Sequence, residues 1–561
     1  MKSVHIQSLF SLVLMAITIS CNPVQQAVNQ EHITIHINQV GYLPDSYKSA
    51  VVVGGATEYS LVNSETGEVV FNGVPEASKY WEASGENAQI LNFSEYTLPG
   101  TYHIRIKDVS SHQFEIGPSI YTAVGTAGLK AYYYHRIGIE LEKKYAGAYA
   151  RPSAHPDTTV FIHSSAASVL RPEGTVIAAP GGWYDAGDYN KYIVNSAITV
   201  STMMSLFEHY PESIETINSN IPESSNNVPD LLDEIRYNLE WMLTMQDPAD
   251  GGVYHKMTHK NFQGMVMPQT IDAERYVVMK TTTATLDFAA STAQASRIYR
   301  PYDAAFADAC IAASTKAWDW ATANPGIVYT QPEDIQTGAY DQTVDRIEDE
   351  SFWAATELSI TTGENYEAPM PTTFRVHEWR DGAALAAMNQ LHHNSIPAVK
   401  AAFFVLADSL LKEQQASAYD VSNDAFRWGS TSDFLNQAMV LIYAYKLSGD
   451  EQYKIAAQST FDWVMGKNPT GYSFLTGYGD KRAMHVHHRP SEADGIDEPI
   501  PGWVVGGPNP ENQYDCQSQS YPSQFPARVF LDELCSYSTN EIAINWNAPF
   551  VYMAFALQDG E

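Results

Sequence analysis

Cationic side chains are scarce in this sequence. Its 561 residues carry 33 Lys and Arg against 65 Asp and Glu, a net charge of −32, and no basic cluster occurs anywhere. A nucleic-acid backbone demands a positive footprint, so a nucleic-acid partner is excluded, and a polyanionic substrate such as pectin is disfavoured. Charge of either sign is thin, at 17% of residues, against about 25% in an average domain. The four cysteines, Cys21, Cys310, Cys516 and Cys535, are too few for a disulfide scaffold. Spacing leaves open whether Cys516 pairs with Cys535. No apolar run reaches the ~20 residues of a membrane span. There is no phosphate cradle, because Val505-Gly506-Gly507 runs into Pro508, and no nucleophile elbow.

Apolar and aromatic residues are plentiful. Hydrophobic residues make up 44% of the chain, which rules out disorder. Aromatics make up 12%, with 34 Tyr and 11 Trp. Few charges and many rings suit a surface for a neutral, hydroxylated, flat-faced ligand.

Residues 1–21 form an address. Lys2 supplies a positive start, Leu9 to Ile17 is a short apolar run, and small Ser20 precedes Cys21. This pattern reads as a secretory signal, and the placement of the cysteine suggests a bacterial lipoprotein; a plain signal peptide with an incidental Cys is the alternative. The expectation is an exported lipoprotein of the outer membrane or cell surface, with secretion or a periplasmic location as alternatives. Membrane contact would then be through the N-terminal lipid alone, and the protein is expected to be a monomer. Residues 22–31 form a polar linker.

Two periodicities divide the remainder. Over 32–118 the pattern alternates, as in Ile33-Thr34-Ile35-His36-Ile37 and Gly100-Thr101-Tyr102-His103-Ile104. Tyr59 to Val62 and Glu68 to Phe71 flank Glu65-Thr66-Gly67 as a hairpin. About seven short strands in this stretch suggest a small all-β sandwich of immunoglobulin type. Over 119–561 the period is helical, and about twelve helices fit an α/α barrel. They are expected near 120–144, 191–210, 228–246, 283–300, 303–324, 349–363, 379–394, 397–413, 432–448, 450–466, 523–535 and 545–558. Long loops rich in Gly, Pro, Asn and Tyr separate some of them, and such loops are usually functional.

Three stretches carry candidate chemistry. The first runs Pro180-Gly181-Gly182-Trp183-Tyr184-Asp185-Ala186-Gly187-Asp188-Tyr189-Asn190-Lys191-Tyr192. Two carboxylates three residues apart can grip one water, with one deprotonating it; the alternative is an Asx-capped turn. The second spans Ser473 to Gly479 and Met484-His485-Val486-His487-His488-Arg489. It offers sugar-hydroxyl donors, a weak metal pattern, or merely exposed polar groups. In the third, Phe530 to Pro549, Glu541 stands among amides and rings before an apolar helix. That setting can raise a carboxyl pKa as a general acid requires, or simply mark a helix start. Trp353, Trp379 and Trp428 are sugar platforms or core residues.

Together the three stretches resemble glycoside hydrolase family 9, the inverting cellulases. Asp185-Ala186-Gly187-Asp188 is similar to the family's aspartate motif. Ser473 through Arg489 is similar to its histidine signature. Phe530, Asp532, Tyr537, Glu541 and Asn547-Ala548 fit its C-terminal signature. The resemblance covers about 120–558 and implies a mainly α fold: an (α/α)6 barrel preceded by an immunoglobulin-like module. It implies Asp188 as general base, Asp185 as a holder of the water, Glu541 as general acid, His487 and Arg489 as sugar contacts, and Asp532 as a support. Trp428 and His255 resemble cleft residues, and Tyr184 joins them as a candidate substrate contact. The activity implied is hydrolysis of internal β-1,4-glucosidic bonds of cellulose, mixed-linkage glucan or xyloglucan with inversion. Exo-action releasing glucose or cellobiose is the alternative within the family, and a lipid-anchored glycan-binding protein is the alternative outside it. The chemistry needs no cofactor. A structural calcium is implied at Asp349 and Glu350, with Asp381, because hard oxygens suit that ion. Zinc near the first helix is not expected, since Ile137 stands where the family's ligating Cys would be.

Overall fold

Alternation of buried and exposed side chains folds residues 34–116 into two facing sheets. One sheet has the order Thr34–His36, Ser49–Val53, Glu86–Asn92, Lys79–Trp81. The other has the order Gly41–Tyr42, Phe114–Ile116, Gly100–Ile106, Tyr59–Asn63, Val69–Gly73. Ile35, Val52, Leu61, Leu91, Ile104 and Phe114 fill the space between them. The hairpin expected about Glu65-Thr66-Gly67 forms, with Tyr59↔Gly73 through Val62↔Val69 paired antiparallel. Lys79–Trp81 and Glu86–Asn92 pair as strands although their sequences, KYW and ENAQILN, lack clear alternation. The computed structural model of the chain describes residues 32–423, 425–511, 513–517 and 519–559, without the side chain of Asp345. The signal, Cys21 and the linker lie outside the described residues.

Eleven long helices among the described residues build the rest. Six form a closed inner ring, each packed on the next: Ile193–His209, Thr282–Tyr299, Ile347–Thr362, Ala383–His393, Ser430–Ser448 and Ile544–Gln558. Thr282–Tyr299 buries every residue except Arg297, as a helix surrounded on all sides must. Five lie outside: Ile120–His135, Asp230–Thr244, Ala304–Ala323, Pro397–Ala416 and Glu451–Val464. Pro397–Ala416 buries only Val399, Phe403, Ala407, Leu410 and Gln414, a one-sided stripe at three- and four-residue steps. The helix expected near 523–535 does not form. Pro526–Arg528 makes a single 3-10 turn there, and the chain is then tied by a Cys516–Cys535 disulfide of 2.02 Å. The segment's backbone groups are spent on other segments, the Ala527 N–H donating to the Ala83 carbonyl at 2.9 Å and the Val529 carbonyl accepting from the Asn509 N–H at 2.9 Å, and so are not free for helical bonds.

The sandwich is locked to the barrel by buried polar bonds. Asn38 Nδ2 donates to Asp462 Oδ1 at 2.9 Å, and Lys467 Nζ donates to Ser49 Oγ at 3.0 Å. The Trp81 ring packs against Tyr419 and Phe426.

A third sheet has the order Val176–Ile177, Val160–Ile162, Arg275–Val277, Lys256–Thr258, Lys191–Tyr192. It pairs Tyr192 with Lys256 and Lys191 with Met257, so it backs the segment just after Asp188.

Candidate active site

Close backbone contact, rather than sequence proximity, assembles the site. In the Asp185-Ala186-Gly187-Asp188 segment, Ala186 bridges to Ala543, and the Ile544 N–H donates to the Asp185 carbonyl at 2.9 Å. His487 bridges to Glu541. The Arg489 N–H donates to the Gly187 carbonyl at 3.1 Å, and Arg489 Nη1 adds a second bond at 2.7 Å. Gly187 is required here: a Cβ at that position would stand 2.0 Å from the His487 carbonyl oxygen and 3.3 Å from Glu541 Oε1. Gly182, at φ 78°, is similarly confined, with the Trp241 ring 2.8 Å from its missing Cβ. All three stretches singled out in the sequence therefore meet at one place.

The result is an open cleft with a cavity of ≈ 320 Å³, lined by Asp185, Asp188 and Glu541 together with Tyr340, Trp379 and Trp428. The two aspartates are held differently. Both oxygens of Asp185 are engaged, Oδ1 by Asn195 Nδ2 at 2.6 Å and Oδ2 by the Tyr340 hydroxyl at 2.8 Å. Asp188 accepts at Oδ2 from Asn190 Nδ2, while its Oδ1 is buried without a hydrogen-bond partner. Asp188 also lines the cleft, and a carboxylate there with an acceptor oxygen not used by the protein is what a water-activating base needs.

Charge and burial separate the carboxyls further. Burial, and then the Asp188 charge, push Glu541 well above the ordinary glutamate range, with Arg489 acting in the opposite sense. A carboxyl so placed keeps its proton and can give it up in the reaction. Asp185 is pushed up to about 8 by burial and by its neighbour Asp188. Three carboxyls in one cleft cannot all ionise at little cost.

The supporting candidates occupy defined places. His487 Nδ1–H donates to the Leu534 carbonyl at 2.7 Å, which fixes its tautomer, and burial lowers its pKa. Asp532 accepts from the N–H groups of Met484 and His485 and from Asn540 Nδ2, so it ties the histidine loop to the residue preceding Glu541. Trp428 is 42% exposed, lines the cleft and faces the Tyr537 ring at 5.5 Å. Trp379 also lines the cleft, under the Arg380 guanidinium at 4.3 Å. Trp353 is a core residue, 1% exposed.

Three residues expected to touch substrate are placed otherwise. Tyr184 is buried, its hydroxyl 2.7 Å from His155 Nδ1, because the turn that aims Asp185 at the cleft sends its neighbour inward. His255 is also buried, stacked on Tyr329, with Nε2 2.9 Å from the Ala339 carbonyl oxygen; it holds the segment carrying Tyr340. Arg489 is 6% exposed and uses Nη1 on Gly187 and Nε on the Gln263 carbonyl, so it acts as a clamp between loops.

Asp349, Glu350 and Asp381 lie at the ends of inner-ring helices. Asp349 accepts from the Gly382 N–H at 3.2 Å, Asp381 from the Ala383 N–H at 3.2 Å, and Glu350 from Gln342 Nε2 at 3.2 Å. Among the described residues no group of three or more His, Cys, Asp or Glu is arranged to hold a metal ion. These three carboxylates are given no part in the chemistry.

Tyr340, Asn195, Asn545 and Trp546 were not singled out for the site. Tyr340 comes from a long loop between helices and Asn195 from the first turn of Ile193–His209, so only tertiary folding brings them to Asp185. Asn545 and Trp546 follow Glu541 closely and line the same cleft.

Known proteins resemble this chain over most of its length. Residues 121–554 match the model of glycosyl hydrolase family 9, and residues 30–111 match the cellulase N-terminal ig-like domain. The chain is 38% identical to a xyloglucan-specific endo-beta-1,4-glucanase of Bacteroides ovatus, over 99% of this chain and 98% of that protein. It is 32% identical to endoglucanase D of Acetivibrio thermocellus, over 92% of this chain and 82% of that protein. A solved Bacteroides ovatus GH9 structure superposes with a TM-score of 0.86 at 37% identity, covering 94% of this chain and 98% of the other.

Proposed function

The chain belongs to glycosyl hydrolase family 9, and on that premise we propose that it is an endoglucanase cleaving internal β-1,4-glucosidic bonds of a xyloglucan-type β-glucan with inversion. The observation carrying this reading is that Asp188, with one unpartnered oxygen, and Glu541, with a raised pKa, line one open cleft beside an exposed tryptophan. Asp188 Oδ1 takes a proton from a water as that water attacks the anomeric carbon. Glu541 gives its proton to the departing glucosidic oxygen. The oxocarbenium-like transition state lies between the two groups. Asp185, held at both oxygens, fixes the charge and shape of the water's surroundings. Trp428 and Trp379 offer flat faces to sugar rings. Xyloglucan is preferred among β-1,4-glucans because the relative named for it matches this chain end to end.

An exported, lipid-tethered enzyme fits the rest. The Cys516–Cys535 disulfide supports an oxidising compartment, and Lys2, the Leu9 to Ile17 run and Cys21 support lipoprotein processing. No helix among the described residues is long and apolar enough to cross a membrane.

The test is hydrolysis of xyloglucan, mixed-linkage glucan and cellulose, following viscosity and reducing ends together. Early loss of viscosity on xyloglucan is expected. Steady release of glucose or cellobiose without that loss would establish exo-action instead, and binding without product would leave only a glycan-binding protein.

A further inference from the structure

The structure assigns to buried Lys256, acting through Thr337, Thr258 and Asn190, the positioning of the base Asp188; this rests on Asp188 being the base. Lys256 lies on the Lys256–Thr258 strand, behind the cleft and fully buried. Its Nζ has three acceptors: Gly338 O at 2.6 Å, Thr337 Oγ1 at 3.1 Å and Gln331 Oε1 at 3.2 Å. An ammonium has three protons and no lone pair, so all three contacts are satisfied and all run outward.

The network continues. Thr337 Oγ1 accepts from Lys256 and lies 2.7 Å from Thr258 Oγ1, a contact in which either hydroxyl can donate. Thr258 Oγ1 stands 2.9 Å from Asn190 Oδ1 and 2.7 Å from the His259 carbonyl oxygen. The His259 N–H also donates to Asn190 Oδ1, at 3.0 Å. A main-chain N–H can only donate, so the Asn190 oxygen faces it and the amide NH2 faces Asp188 Oδ2. A continuous run of hydrogen-bonded groups thus leads from Lys256 through Thr337, Thr258 and Asn190 to the carboxylate. Asp188 is held by one oxygen and its other oxygen is left for water.

The same ammonium reaches the second aspartate. Its bond to the Gly338 carbonyl pins the segment from which Tyr340 donates to Asp185 Oδ2. One buried charge therefore sets the backbone behind both aspartates. Burial draws Lys256 down to about 7, while the negative charge of Asp188 works the other way. No part of this network touches the cleavage point, so its members are positioning residues.

The test compares Lys256→Met and Thr337→Val with Asp188→Ala on xyloglucan, with and without azide. Azide attacks the anomeric carbon as an anion; the glucosidic C–O bond breaks, Glu541 protonates the leaving oxygen, and no proton has to leave the nucleophile. Both positioning variants should lower kcat by about ten- to a hundredfold with KM and Tm near wild type, since small misplacements cost on that order. Azide should restore much of the loss and yield an α-glycosyl azide. Wild-type kcat in both variants would overturn the assignment, as would a lowered kcat that azide leaves unchanged. Should Lys256→Met fail to fold, Thr337→Val decides, because it cuts the same chain while keeping the charge. Asp188→Ala separates the two layers: near-normal turnover there removes the base assignment itself, whereas an inactive, azide-rescued Asp188→Ala beside normal positioning variants removes only the role of Lys256.

Discussion

Arg489 donates twice to the carbonyl oxygen of Gly187, from its main-chain N–H at 3.1 Å and from Nη1 at 2.7 Å, and so clamps the segment between the two aspartates to the histidine loop. Its Nε reaches a third segment at Gln263. A lysine at this position cannot reproduce a planar fork. Arg489→Lys is therefore expected to lower kcat by tenfold or more, on the scale of about 1.5–3 kcal/mol for hydrogen bonds from a charged group. Steady-state kinetics on xyloglucan check this; an unchanged kcat would show that the clamp is dispensable.

The pH dependence follows from Glu541. Its folded-state pKa is raised above the ordinary 4.5 by burial and by Asp188. Activity requires the protonated form, so the acid stays competent as pH rises past the usual glutamate range and is lost only when pH passes the raised value. The basic limb of kcat against pH is expected well above 4.5, and Glu541→Gln should abolish it together with most of the activity on unactivated glucan. A basic limb near 4.5 would contradict the burial argument.

Asp185 predicts a conflict between stability and activity. Its pKa is raised from 3.8 to about 8, so the folded state binds more protons than the unfolded state between those values. Stability contributed at this site falls as pH rises through that window. Asp185→Asn keeps the shape and removes the cost. Its Tm should exceed the wild-type Tm near pH 8 and match it near pH 4, while kcat falls. Equal Tm differences at both ends would exclude the linkage.

Trp428 is 42% exposed, lines the cleft and has a neighbouring ring at Tyr537. Trp428→Ala should raise KM with kcat nearly unchanged, the pattern of a contact made equally in ground and transition states. Because the ring is half exposed, Tm should barely move. A fall in kcat alone would mean that the residue acts on the reacting sugar.

The acids were legible in the sequence because each sits in a short, chemically unusual stretch. Asp185 and Asp188 are spaced by small residues, and Glu541 precedes an apolar helix; the structure brings these stretches to one cleft. Eleven of the expected helices form because their apolar periodicity is long and regular, whereas the backbone of 523–535 bonds to Ala83 and Asn509 beyond a single 3-10 turn. Side-chain direction was harder to read. Tyr184 and His255 have the chemistry of sugar contacts, but one is turned inward beside Asp185 and the other is spent on a loop carbonyl. Tyr340, Asn195 and Lys256 act through partners distant in sequence, and no local pattern reports such pairings.

The most direct measurement is the anomeric configuration of the first product, followed by NMR during cleavage of a β-1,4-glucan oligosaccharide. Water activated by Asp188 on the face opposite Glu541 must yield the α-anomer before mutarotation, and Asp188→Asn must stop its formation. Initial appearance of the β-anomer would contradict the account.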